Sequence, residues 1–227
     1  AGREDRPGHL REVGRDGERG SVLTSTVGSV KYRFNRLTGR EPRLGTAATA
    51  AGVRGTELTV YAGTDGSALY VVDSGLVSVE SAGESVEIGA NTGVEVVAGR
   101  PPGEPFEVIG RELDFRSWNE GRLDAFLEDP VAALDRLEGQ LGEFADGADE
   151  WYQTFIESQE RSDAAREELM GMEEGSERDT FRDETWFPLA NRTANAVLNY
   201  RYHALSALSL RRYVLTSLYV EMKTRNI

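Results

Sequence analysis

Apolar and polar side chains alternate through residues 49–97, and beyond residue 108 the apolar ones recur every third or fourth position instead. In the first stretch Leu58 and Val60, Leu69 and Val71, Val77 and Val79, Val86 and Ile88, and Val94 and Val96 stand two apart, the spacing of strands with one buried face. Between them fall Thr64-Asp65-Gly66, Ser74-Gly75, Ala82-Gly83-Glu84 and Gly89-Ala90-Asn91, residues that tolerate positive φ in tight turns. Weaker strand patterns at 21–27 and 29–34 meet near Gly28 and lead into a turn region over 35–42. The proline-rich stretch 99–105 cannot stay in a sheet ladder, so it closes an all-β domain expected over residues 21–108.

The later periodicity predicts helices. Asp129-Pro130 supplies an N-cap and an N1 proline ahead of Val131, Leu134, Leu137, Leu141 and Phe144, a stripe expected to end near Asp146-Gly147. A second pattern runs from Asp149 through Trp151, Phe155, Ile156 and Gln159 to Leu169 and Met172, breaking at Gly175. A third starts around Pro188 and continues through Ala194, Leu198, Leu205, Val214 and Leu218 to Met222 with no further Gly or Pro. At ~1.5 Å per residue it spans roughly 50 Å or more. The fold class is therefore α+β: an N-terminal all-β domain followed by a C-terminal helical region with a long terminal helix. Residues 1–20, half charged and nearly without apolar side chains, read as a flexible charged arm; 109–121 read as a linker and 122–227 as the helical region.

Charge refines this picture. The 227 residues carry a formal charge of -13, and of 26 basic residues only Lys31 and Lys223 are lysine. An acidic, arginine-dominated surface points to a salt-loving, GC-rich prokaryote, a haloarchaeon, in which acidity serves solubility; it also argues against a nucleic-acid partner. Residues 111–185 hold 23 carboxylates against 8 arginines, whereas 186–227 hold five arginines and one lysine against Glu221 alone. The last helix is thus the basic partner of an acidic block. Two arrangements satisfy it: packing within the chain, with Arg192, Arg201, Arg211 and Arg212 meeting acidic neighbours, or projection toward a second protein surface. On the second arrangement Leu205, Leu208, Arg211, Arg212 and Leu218 are the partner-binding residues, and a homo-oligomer is a natural outcome.

Candidate chemistry is sparse. Cysteine is absent, which removes disulfides and thiolate ligands, and the two histidines, His9 and His203, form no zinc, di-iron or hydrolase motif. His203 lies beside Tyr200 and Tyr202 in an apolar pattern and reads as a packed histidine. No catalytic residue, metal or cofactor is expected. Asn191-Arg192-Thr193 is a glycosylation sequon, so Asn191 is a candidate acceptor. The most apolar stretch, 203–222, is split by Arg211-Arg212, so contact with a membrane is expected by proximity only. A chain starting at Ala1 is what a processed or trimmed exported protein would show.

The stretch Ala48-Thr49-Ala50-Ala51-Gly52-Val53-Arg54-Gly55-Thr56-Glu57-Leu58, then Asp65-Gly66, then Asp73-Ser74-Gly75-Leu76-Val77-Ser78-Val79, resembles the FecR domain family. The resemblance covers residues 21–106 and is carried mainly by Val53, Arg54, Gly55 and Thr56. It departs from the family's pattern at Gly45-Thr46-Ala47, where Thr-Pro is usual, and at Leu58, where Phe is usual. Arg54 reads either as a structural arginine bridging backbone or a carboxylate such as Glu57 or Asp73, or as a ligand arginine. Trp118-Asn119-Glu120-Gly121-Arg122 looks like the Trp-Asn-Glu-x-Arg stretch that follows FecR domains in exported proteins, with Trp118 as a hinge plug. The resemblance implies an extracytoplasmic, secreted or cell-surface module that binds a protein or an envelope polymer without enzymatic activity. The alternative is a structural subunit of a surface filament or coat assembled through the long helix. The transmembrane relay of the family's signalling members is not expected, because the chain shows neither a span nor an anti-sigma segment.

Overall fold

The computed structural model describes residues 22–24, 28–34, 43–46, 50–109 and 113–227, without the side chains of 22–24, 43, 50 and 52–55. The charged arm over 1–20, with His9, and the turn region 35–42 lie outside the described residues. Within them the expected α+β class holds: a β unit is followed by a helical arm.

Two long strands organise the β unit. Strands β1 (Val22–Thr24), β2 (Gly28–Arg33) and β3 (Arg43–Gly45) precede β4 (Ala50–Ala62) and β5 (Ala68–Ser81), and β6 (Glu84–Gly89), β7 (Thr92–Val96) and β8 (Phe106–Glu107) follow. The start of β4 pairs with β3 and its end with β2, while the start of β5 pairs with β7 and its end with β6. β1 lies parallel to β3 and every other pairing is antiparallel.

The Val-Arg-Gly-Thr stretch is where the two long strands change partners. Arg54 pairs with Leu76 but Glu57 with Ser74, so β4 carries one extra residue, a β-bulge over Gly55-Thr56. Facing it, Ser74-Gly75 does not form the expected turn. It lies inside β5, with Gly75 at φ +91°, a backbone state open to glycine at no steric cost. A bulge bends the strand that carries it, and a single core takes side chains from both sides of this one. Leu44, Ala51, Val77, Val79 and Ile88 come from one side, and Leu58, Val60, Tyr70, Val72, Val94 and Val96 from the other. Across the bend the buried Thr56 donates its hydroxyl to the Leu76 carbonyl at 3.1 Å.

The arm begins earlier than expected. Helix α1 (Phe115–Glu128) starts inside the stretch read as linker, because Asp114 caps it: its carboxylate accepts bonds from the Arg116 and Ser117 amides and the Ser117 hydroxyl. Those bonds, the Ser117 hydroxyl's first, hold the Asp114 carboxyl below its usual range. Helix α2 (Pro130–Gly171) follows, with Asp129 as N-cap and Pro130 in the first turn as predicted. It does not stop at Asp146-Gly147, and its 42 residues span about 63 Å. A β-carbon on Gly147 would lie 2.5 Å from His203 Nδ1, so this glycine makes room for a ring on the returning helix.

After a turn at Gly175 the chain returns through α3 (Ser176–Phe181), a π-helical turn Arg182–Trp186, α4 (Phe187–Ser209), a second π-helical turn Leu210–Leu215 and α5 (Thr216–Thr224). Pro188 has no N–H to bond the carbonyl four residues back, and the wide turn just before it carries the helix past, with the Phe187 amide donating to the Arg182 carbonyl. The second wide turn sets Leu210, Val214 and Leu218 on one line, all fully buried. No helix among the described residues is long and apolar enough to cross a membrane.

Candidate functional site

The β4–β5 hairpin tip, over residues 63–67, is buried beneath the arm. Gly66 takes φ +83°, and a β-carbon there would come within 3.3 Å of Val214 and 3.6 Å of Leu137. Around it Ala98, Leu123, Phe126, Ala133, Leu137, Leu210, Val214 and Leu218 form a second core joining sheet, α1, α2 and the end of the chain. Leu218, expected to face a partner, is fully buried here. Its four-residue spacing from Val214 and Leu210 through a wide helical turn places it inward.

The Trp-Asn-Glu-x-Arg stretch is the latch of this junction. Trp118 packs with Tyr61, Leu69, Val71 and Val108 on the outer face of the sheet and donates Nε1–H to Glu95 at 2.8 Å. Asn119 Oδ1 accepts from the Thr64 amide at 2.8 Å and from its hydroxyl at 3.0 Å. Arg122 reaches Asp65 at 3.3 Å and Glu95 at 3.7 Å, and Asp65 also accepts from the Ser67 amide and hydroxyl. The i, i+1 and i+4 positions of one helix thus read out three points of the sheet, while Glu120 and Gly121 stay exposed. Asp65 and Arg122, 5% and 17% exposed, form a shielded pair, beside a cavity of about 30 Å³ that Arg136 also lines. Leu69 and Val71, read from their alternation as strand residues, meet α1 rather than the core of the β unit.

At the bulge, the carboxylates proposed for Arg54 have other partners. Lys31 lies 2.9 Å from both Glu57 and Asp73, and Arg33 donates to Glu57 at 3.0 Å. These bonds, Arg33 first and Lys31 second, lower the Glu57 carboxyl to about 2. The side chains of Val53, Arg54 and Gly55 lie outside the described residues.

Of the residues expected to bind a partner, Leu205, Leu208, Arg211 and Arg212 are exposed, together with Tyr213, Tyr219 and Val220. Arg212 and Lys223 sit over the rings of Tyr213 and Tyr219 at 5.8 and 5.9 Å. Among the described residues, no ion pair joins Arg192, Arg201, Arg211 or Arg212 to the acidic helices; Arg225 reaches Asp124 at 3.6 Å. His203 is packed edge-on against Phe144 and Tyr202. Asn191 is exposed in the second turn of α4, with Thr193 turned inward and bonded to the Leu189 carbonyl. No group of metal-binding side chains occurs among the described residues.

No family model and no curated protein matches the chain. Two crystal structures of a protein described as a "putative anti-sigma factor" from Parabacteroides distasonis ATCC 8503 overlap with 36% of this chain at 20% identity and a TM-score of 0.31. The overlap spans 38% of that protein's chain.

Proposed function

We propose that this chain is a non-enzymatic, extracytoplasmic FecR-like interaction module at the cell surface, in which the β unit is a rigid base and the helical arm docks a protein partner. The observation that carries the reading is the outer side of the returning helix. Leu205, Leu208, Tyr213, Tyr219 and Val220 are 41% to 63% exposed on a helix whose other side is fully buried, and exposed arginines accompany them. Aromatic, apolar and arginine side chains together are the composition of interface centres. The resemblance of β4 and β5 to FecR domains supports a cell-surface location. The same helix favours a second reading, a structural subunit assembled through it.

The test is protease treatment of intact cells producing the full chain, followed by fractionation of wild type and Leu208→Asp. The module reading expects cleavage from outside, envelope retention of wild type and release of the variant. Protection in intact cells, or equal retention of both proteins, overturns it. Retention only in a high-mass assembly of the chain itself favours the subunit reading.

A further inference from the structure

The outer half of the arm is two helices thick, residues 148–171 of α2 against 176–200 of the returning helix, and small or polar residues fill most of its seam. Ser158, Ser162 and Ala165 are buried on one helix, and Thr193, Asn195, Ala196 and Asn199 on the other. Several of these bond within their own helix: Ser158 to the Phe155 carbonyl, Thr193 to Leu189 and Asn199 to Asn195. Leu169 is also buried, near the tip, but midway along the hairpin large apolar side chains stand outside the seam. Tyr152 and Ile156 are 42% and 36% exposed, and Phe155, Val197 and Tyr200 are half-buried. The Tyr152 ring lies 5.4 Å from Tyr200 and 6.4 Å from Phe155, which gathers them on one side of the hairpin. A helix pair with its large apolar residues on one side is half of a four-helix bundle.

Charge indicates what completes it. Beside this patch α2 carries the exposed Asp149, Glu160 and Asp163, whereas Arg201 is exposed next to Tyr200 and residues 186–220 contain no acid. Under a two-fold axis α2 of one chain meets α4 of another, so acidic helix faces basic helix twice. A surface that presents both halves of a complementary pair is self-complementary, as an isologous interface requires. Two helices roughly 36 Å long and about 10 Å apart offer on the order of 700 Å² per chain, close to the ~800 Å² of a standard interface.

We propose that the outer half of the arm is a homodimerisation surface, on which a second copy of this chain docks its own hairpin to form a four-helix bundle. The patch is separate from the Leu205 and Leu208 surface, so the dimer and the partner site stand or fall independently. The experiment is sedimentation equilibrium of the full chain in molar potassium chloride, with circular dichroism and thermal unfolding as checks on folding. Wild type is expected at twice its 25.0 kDa mass. Ile156→Asp, at an exposed position, becomes a monomer with unchanged helicity; Arg201→Glu, wholly on the surface, dissociates at least ten-fold more readily; Leu208→Asp remains a dimer. A wild-type monomer at about 0.1 mM, where an interface of this class is associated, overturns the proposal, as does a dimer that both Ile156→Asp and Arg201→Glu leave intact or an assembly larger than two. A monomeric wild type that still loses envelope retention on Leu208→Asp refutes the dimer and leaves the interaction reading in place.

Discussion

Gly147 looks in the sequence like a helix stop, and it is instead the point where the His203 ring of the returning helix sits against α2. An exposed helix glycine changed to alanine adds about 1 kcal/mol of stability. Gly139 and Gly142, with open space around them, follow that rule. Gly147→Ala reverses it: the new methyl meets a His203 ring held by Phe144 and Tyr202, at a cost of about 1–3 kcal/mol of overpacking. Urea unfolding of the three variants checks this, and equal stabilisation by all three contradicts it. No local signal separates a glycine that ends a helix from one that admits a distant ring, which is why this position was illegible. Glu57 gives a pH test. Its carboxyl falls from 4.5 to about 2 on folding, so its contribution is complete above pH 4.5 and lost as pH falls through 2. At low salt, wild type should lose stability more steeply than Glu57→Gln between pH 4.5 and 2; superimposable acid limbs contradict the assignment.

Among the elements, those with a strict local period were legible: the strand runs of β4 to β7, the Asp129-Pro130 start of α2 and the long terminal helix all follow from spacing and capping. What spacing concealed was long-range. Ser74-Gly75 has turn composition but serves a bend opposite a bulge, and the apolar residues after Leu205 look scattered because the π-helical turn resets their angle. Leu218 moved from expected interface to core for that reason. The Trp-Asn-Glu-x-Arg stretch was visible as a motif, but its partners, the donor Thr64 and the acceptors Asp65 and Glu95, are set by how sheet and arm meet. Breaking a shielded ion pair by removing one partner costs about 3–5 kcal/mol, so Arg122→Leu is expected to cost about that. Trp118→Phe keeps the ring packing and loses a bond to a charged acceptor, about 1.5–3 kcal/mol. Hydrogen exchange locates both effects: α1 and the tip over 63–67 lose protection first. Faster exchange confined to β6, remote from the latch, would show that the motif does something else.

At the scale of the whole molecule, a β unit with its own core and a latched second core carries an arm roughly 60 Å long, and the two surfaces of that arm differ in kind. Near the base the returning helix presents leucine, tyrosine and arginine outward; toward the tip an aromatic patch sits between an acidic and a basic helix. Charge partition along the sequence foretold that the last helix is basic, but the expected closure of its arginines onto acidic neighbours is not what the described residues show. Those charges are left facing outward, and on the proposed reading the arm rather than the sheet is the surface that meets other molecules. The most direct measurement is photocrosslinking in cells with a benzoylphenylalanine at Leu208, on the arm, or at Glu87, exposed on β6. The account predicts a discrete crosslinked product from position 208 and none from position 87, whereas a product from position 87 alone would place the interaction on the sheet and contradict it.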